Sequence, residues 1–207
     1  MKITSVLVSE GTSDICIQRI ASLLVNEIQP AIVLEFKPDN GVPISHPPGG
    51  LNAKLKNAVD LYSPNLLFIH RDADTAGLAA RRMEIEKALQ VKGLVSTSQP
   101  VITIPKREIE AWLLADQTAI LKALGTKKLG PSYPKLKQIE DLDAKASLKK
   151  VVEESLVLAG YRPRDSKFPL ARFRIGQNLA DLARLRKLSA FQAFEEDLQN
   201  AINTLTS

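Results

Sequence analysis

The chain has 207 residues, 44% of them apolar and 25% charged, with 28 basic and 23 acidic side chains for a net charge of +5. That is the composition of one folded domain with a real core, and an aromatic content of 5% argues against an aromatic-rich RNA-stacking module. One cysteine and two histidines exclude a disulfide framework and any zinc site built on Cys or His, so a metal here must be held by carboxylates.

The amino terminus lacks the length and cleavage pattern of a signal peptide, and no stretch approaches the apolar length of a membrane span. The expectation is a cytoplasmic, reduced protein away from membranes. Charge is unevenly placed along it. Residues 1–120 carry 12 basic and 13 acidic side chains, residues 121–190 carry 16 and 7, and residues 191–207 carry none and 3. The basic stretch reads either as Lys-rich solvated helices or as a phosphate-binding surface.

Ile3 to Ser9 alternates β-branched and polar residues, then Glu10-Gly11-Thr12-Ser13-Asp14 reads as a tight turn and helix start. Ile20, Leu23, Leu24 and Ile28 continue at helical spacing until Gln29-Pro30. Residues 31–37 form the second strand, residues 41–50 a loop rich in Pro and Gly that carries His46, and residues 51–62 a helix. The continuous apolar run of residues 65–70 has the pattern of a central strand buried on both faces. It ends in Arg71-Asp72-Ala73-Asp74. Residues 75–90 read as a helix with Leu78, Ile85 and Leu89 on one stripe, and residues 101–104 as the fourth strand. Beyond residue 120 the pattern is helices and turns.

Strands alternating with helices predict an α/β fold: a Rossmann-like four-stranded parallel sheet with helices on both faces and a helical C-terminal extension. The division expected is a catalytic core over 1–120 and a basic helical extension over 121–207 packed on it. Ligands of such sheets bind outside the carboxyl ends of the strands. Acids stand there: Glu10 after the first strand, Asp72 and Asp74 after the third, and Glu108 and Glu110 with Lys106 after the fourth. Asp72 and Asp74 share a face of extended backbone, where a hard cation would relieve their repulsion, although Asp at such a place also serves as a helix cap. Glu10 reads equally as a first-turn acid complementing the helix dipole, and Trp112 as a core residue.

Glu10-Gly11 after the first strand, followed by Asp72-Ala73-Asp74 after the third of four parallel strands, resembles the TOPRIM domain of topoisomerases, primases and overcoming-lysogenization-defect nucleases. Pro105 to Asp116, with Glu110-Ala-Trp-Leu-Leu-Ala-Asp116, is similar to a group of small TOPRIM-like proteins linked to phage defence and to ATPase neighbours. The likeness spans residues 1–116; Phe168-Pro169, Arg172 and residues 187–191 extend it more loosely. Arg71, directly before the first Asp, departs from an apolar strand end and would either neutralise a carboxylate or bind phosphate.

The resemblance implies a Mg²⁺- or Mn²⁺-dependent nuclease. Glu10, Asp72 and Asp74 would be metal ligands, Glu10 also the acid/base, and Lys106 and Glu110 further catalytic groups. Arg71, Arg172, Arg174, Arg184 and Arg186 are the expected nucleic-acid contacts, with DNA the first candidate. An ATPase protein and further copies of the chain stand as other partners. The alternative is a non-catalytic metal- or nucleotide-binding regulatory subunit of an ATPase complex.

Overall fold

A computed structural model describes residues 1–38, 42–43, 50–90, 98–162 and 168–207; His46 lies outside them. The strands are β1 (Lys2–Ser9), β2 (Val33–Phe36), β3 (Val42–Pro43), β4 (Leu66–His70) and β5 (Gln99–Thr103). Every pairing is parallel, in the order β2-β1-β4-β5, with the two-residue β3 also on β1. The helices are α1 (Cys16–Ile28), α2 (Gly50–Tyr62), α3 (Leu78–Leu89), α4 (Glu110–Ala115), α5 (Gln117–Leu124), α6 (Ala144–Leu158), α7 (Phe168–Asn178), α8 (Leu182–Leu185) and α9 (Ser189–Thr206). The α/β parallel sheet expected from the sequence is the observed fold.

The pleat divides the sheet's side chains between two layers. Val6, Val8, Leu67, Ile69 and Ile102 face α2 and α3, meeting Leu55, Ala58, Ile85 and Ala88. Ile3, Leu7, Leu66, Phe68 and Val101 face α1, α4 and the later helices. Burial on both faces is why β4 reads as an unbroken apolar run.

Differences from the sequence reading are local. Within the Pro-rich stretch, Val42 and Pro43 pair with Val8 and Ser9 of β1. α3 begins at Leu78 because Asp74 (φ 45°) and Gly77 (φ 85°) both sit in left-handed backbone, which no continuous helix contains. Leu78 is exposed rather than on the buried stripe.

The basic extension shares the larger core instead of forming its own. Leu148, Val151, Ile175, Leu185, Phe191, Phe194 and Leu198 are in one buried cluster with α1 and one face of the sheet. Three residues of α4 and its end hold the two parts together. Glu110, 3% exposed, pairs with Arg172 of α7. Trp112 is fully buried and packs against Phe191 and Phe194 of α9, centroids 5.1 and 5.4 Å away. Asp116 caps α5 through Ala119 N–H (2.8 Å) and accepts from the amides of Ala180 and Asp181 (2.9 Å each). α9 also lies along β5, the last strand of the sheet. Among the described residues no helix is long and apolar enough to cross a membrane.

Candidate functional site

The site is built where β1 and β4 end side by side. Val8 and Ile69 are register partners, so the residues that follow, Glu10 and Arg71-Asp72, leave the sheet as neighbours. β5 runs beside β4, with Thr103 opposite His70. Its continuation supports the turn after β4: Arg71, Ala73 and Asp74 donate their N–H groups to the carbonyls of Thr103, Pro105 and Arg107 at 3.1–3.2 Å. A backbone held at three successive points explains how Asp74 keeps a positive φ at the tip.

Around this turn, carboxylates and guanidiniums alternate. Arg71 Nε donates to Glu10, and its NH1 to Glu84 Oε1 at 2.5 Å. Arg81 NH1 donates to the other oxygen of Glu84 at 2.9 Å and its Nε to the Asp72 carbonyl at 3.0 Å. Its NH2 lies 3.6 Å from Asp74 Oδ2, a charge contact beyond hydrogen-bond range. The chain Glu10–Arg71–Glu84–Arg81–Asp74 thus crosses the strand ends with its signs alternating. In this structure Arg71 neutralises Glu10.

Beneath it lies a buried second row. His70 is fully buried and on the α1 side of the sheet. Its Nδ1 is 3.1 Å from Asp14 Oδ2, and its Nε2 is 3.3 Å from Asp72 Oδ1, near enough for a charge contact but without hydrogen-bond alignment. Burial alone would lower this imidazole's pKa. The flanking Asp14 and Asp72 outweigh burial and push it up to about 10, so His70 is a cation between two carboxylates at neutral pH. Asp14 Oδ2 also accepts from Gly11 N–H at 2.8 Å, and Asp72 Oδ1 from Ile109 N–H at 3.0 Å. Each acid is therefore oriented by a backbone amide as well as by His70.

The other expected site residues are distributed differently. Lys106 is paired with Asp141 at 2.5 Å on the surface, and this partner raises its pKa. Glu108 accepts from Lys145 N–H at 2.9 Å; burial raises its carboxyl's pKa against that bond. Glu110 is buried and pairs with Arg172 of α7. Arg172, Arg184 and Arg186 are likewise committed within the chain: Arg184 donates to Ala115 O (2.6 Å), and Arg186 bridges Glu195 (2.7 Å) and Glu27 (2.6 Å). Arg174 is exposed, with no ion-pair partner among the described residues.

Sequence reasoning brought Glu10, Arg71, Asp72 and Asp74 to one place and missed Asp14, His70, Arg81 and Glu84. Two signals were available for the buried pair. A Gly-x-x-Asp spacing at a helix start lets the acid reach back to an amide, and a histidine closing a wholly apolar strand needs a partner. Arg81 and Glu84, on a helix with a polar face, carry no such mark.

The donor chemistry, three partly exposed carboxylates on adjacent strand ends, suits a hard divalent cation. Their present arrangement is organised by guanidiniums, and among the described residues no three His, Cys, Asp or Glu side chains converge as metal ligands. No family model, no curated protein and no solved structure matches the chain.

Proposed function

We propose that this protein is a TOPRIM-like, divalent-metal-dependent phosphodiester hydrolase acting on nucleic acid, centred on the adjoining ends of β1 and β4. The observation that carries this reading is the juxtaposition of Glu10 with Asp72 and Asp74 on paired parallel strands, at the edge where such sheets bind ligands. Asp72 and Asp74 would hold Mg²⁺ or Mn²⁺, with Glu10 as third donor or proton carrier. The bound cation would polarise a phosphate and acidify a water.

The chain's own groups have definable tasks around that chemistry. The amide of Ile109 and the imidazolium of His70 aim Asp72. Arg71 and Arg81 keep the acids from repelling one another while no cation is present. A phosphate arriving at the strand ends gives Arg71 an anion to which it can donate in place of Glu10. Cleavage of single-stranded DNA, RNA and plasmid with added Mg²⁺ or Mn²⁺ tests the reading. Glu10→Gln and Asp72→Asn are each expected to lower the rate at least about a hundredfold in protein that circular dichroism shows still folded. Full activity in both variants overturns it.

The alternating ion pairs also favour a second reading, a non-catalytic regulatory subunit of an ATPase complex whose acids bind metal or nucleotide. Cation-dependent stabilisation lost in Asp72→Asn, without cleavage by the wild type, supports that reading over the first.

A further inference from the structure

Residues 121–190 carry a surplus of nine positive charges, and three of their arginines, Arg172, Arg184 and Arg186, are used internally. Four exposed cations of this stretch, Lys127, Lys128, Arg162 and Arg174, lie around the junction of α5, α6 and α7. Two grooves meet there. One, of about 410 Å³, has an apolar lining that includes half-buried Leu124 and Leu156 and buried Ala171, with exposed Tyr161, Arg162 and Arg174. The other, of about 340 Å³, is lined by the residues that follow Leu124 and flank Leu156, and includes Lys127 and Lys128. Four of the residues lining the two grooves are cationic and none is acidic. Among the described residues, Arg162 and Arg174 have no carboxylate within ion-pair distance.

Tyr161 is placed by the way α6 ends. Gly160 takes φ 82°, its N–H bonds to Val157 O, and the N–H of Tyr161 bonds to Leu156 O, both at 2.9 Å. This is the paired 6→1 and 5→2 closure of a Schellman motif, in which the residue after the glycine rests on the one five before it. The motif accounts for the backbone of Tyr161 and for an apolar contact with Leu156. It gives no reason for an aromatic ring that stays 58% exposed.

We propose that these grooves bind a single strand of nucleic acid, with one base stacked on Tyr161 in the apolar slot and phosphates on Arg162, Arg174, Lys127 and Lys128. A base presents flat apolar faces to such a slot, and its flanking phosphates match four cations with no acid among the described lining residues. Val157, Leu158 and Phe173 leave further apolar surface nearby, the feature that would instead suit a protein partner. The proposal deepens the nuclease reading by naming where its substrate is held, at a surface separate from the strand-end acids.

The test is fluorescence anisotropy of a labelled 15-nucleotide oligothymidylate, and of an abasic phosphodiester strand of equal length, titrated with the full chain. Tyr161→Leu keeps an apolar contact for Leu156 and removes the ring. It is expected to weaken oligothymidylate binding roughly tenfold and leave the abasic strand unaffected. Arg162→Ala/Arg174→Ala is expected to weaken both strands and to flatten the log–log salt slope by about 1.4, at about 0.7 per phosphate contact. Wild-type affinity in both variants overturns the proposal, as does absence of strand binding by the wild type. So does wild-type self-association, seen by sedimentation and abolished by the same variants while strand binding persists, which makes the surface a protein interface. Loss of cleavage in Asp72→Asn with strand binding intact concerns the strand-end reading alone. Strand binding as proposed in a protein that cleaves nothing upholds the groove and removes the nuclease.

Discussion

Arg71 donates to Glu10 at the end of the neighbouring strand and, through another nitrogen, to Glu84 of α3, so one guanidinium ties the end of β1 to α3 at the sheet's carboxyl edge. Two acids that would repel are held by the residue directly preceding Asp72. On the proposed reading, guanidinium and divalent cation compete for the carboxylate of Glu10.

Arg71→Met tests that competition. The variant leaves Glu10 and Glu84 without their shared cation and is expected to lose about 1 kcal/mol, a modest amount because all three side chains are partly exposed. Added Mg²⁺ should then raise its melting temperature more than it raises that of the wild type, by mass action on the native state. Equal responses to Mg²⁺ would show that the acids do not bind a cation even when freed.

The pair Glu110–Arg172 should behave in the opposite way because Glu110 is buried. Arg172→Met strands a carboxylate and is expected to cost roughly 3–5 kcal/mol, whereas Glu110→Gln/Arg172→Met should recover a large part of that loss. Urea unfolding of the two single variants and the double variant gives the coupling directly. Additive losses would contradict a pair acting as a unit.

His70 supplies a pH dependence with a defined sign. Its folded pKa, about 10, is raised above the ordinary 6.5, so its stabilising contribution is complete below about pH 6.5. It should decline as the pH rises from there and vanish above about 10, where the imidazole is neutral in both states. Chemical denaturation at intervals from pH 6 to 10 should show wild-type stability falling faster than that of His70→Gln. Parallel curves would mean that the imidazole is uncharged in the folded protein.

Trp112→Ala is expected to destabilise by roughly 3–5 kcal/mol, because a fully buried ring packed on Phe191 and Phe194 leaves a cavity that rigid helices cannot close. Trp112→Phe should cost less. A loss below 1 kcal/mol for the alanine variant would mean that α9 can repack against α4.

The sheet was legible because its strands obey strong patterns: alternation in β1, and an unbroken apolar run in β4 that only burial on both faces produces. The strand-end acids were legible for the same reason, since knowing where a strand stops places the residue after it. Residue spacing does not show which cation meets which anion across the fold. Arg172, Arg184 and Arg186 read as exposed basic residues, yet their partners Glu110, Ala115 and Glu195 are fixed only by how helices pack. Asp14 read as a helix-start acid, which it is, and its second partner lies a strand away.

The position of α9 bears on how the chain matures. During synthesis the strands and the strand-end acids emerge long before Phe191 and Phe194, so the β5 border and the socket around Trp112 stay wet until residues 189–206 arrive. An open strand border beside uncovered apolar surface invites pairing with other nascent chains. Closure of that border and of the socket around Trp112 therefore waits on α9. Conditions that delay this helix should show first as aggregation, ahead of any loss in the intrinsic competence of finished molecules.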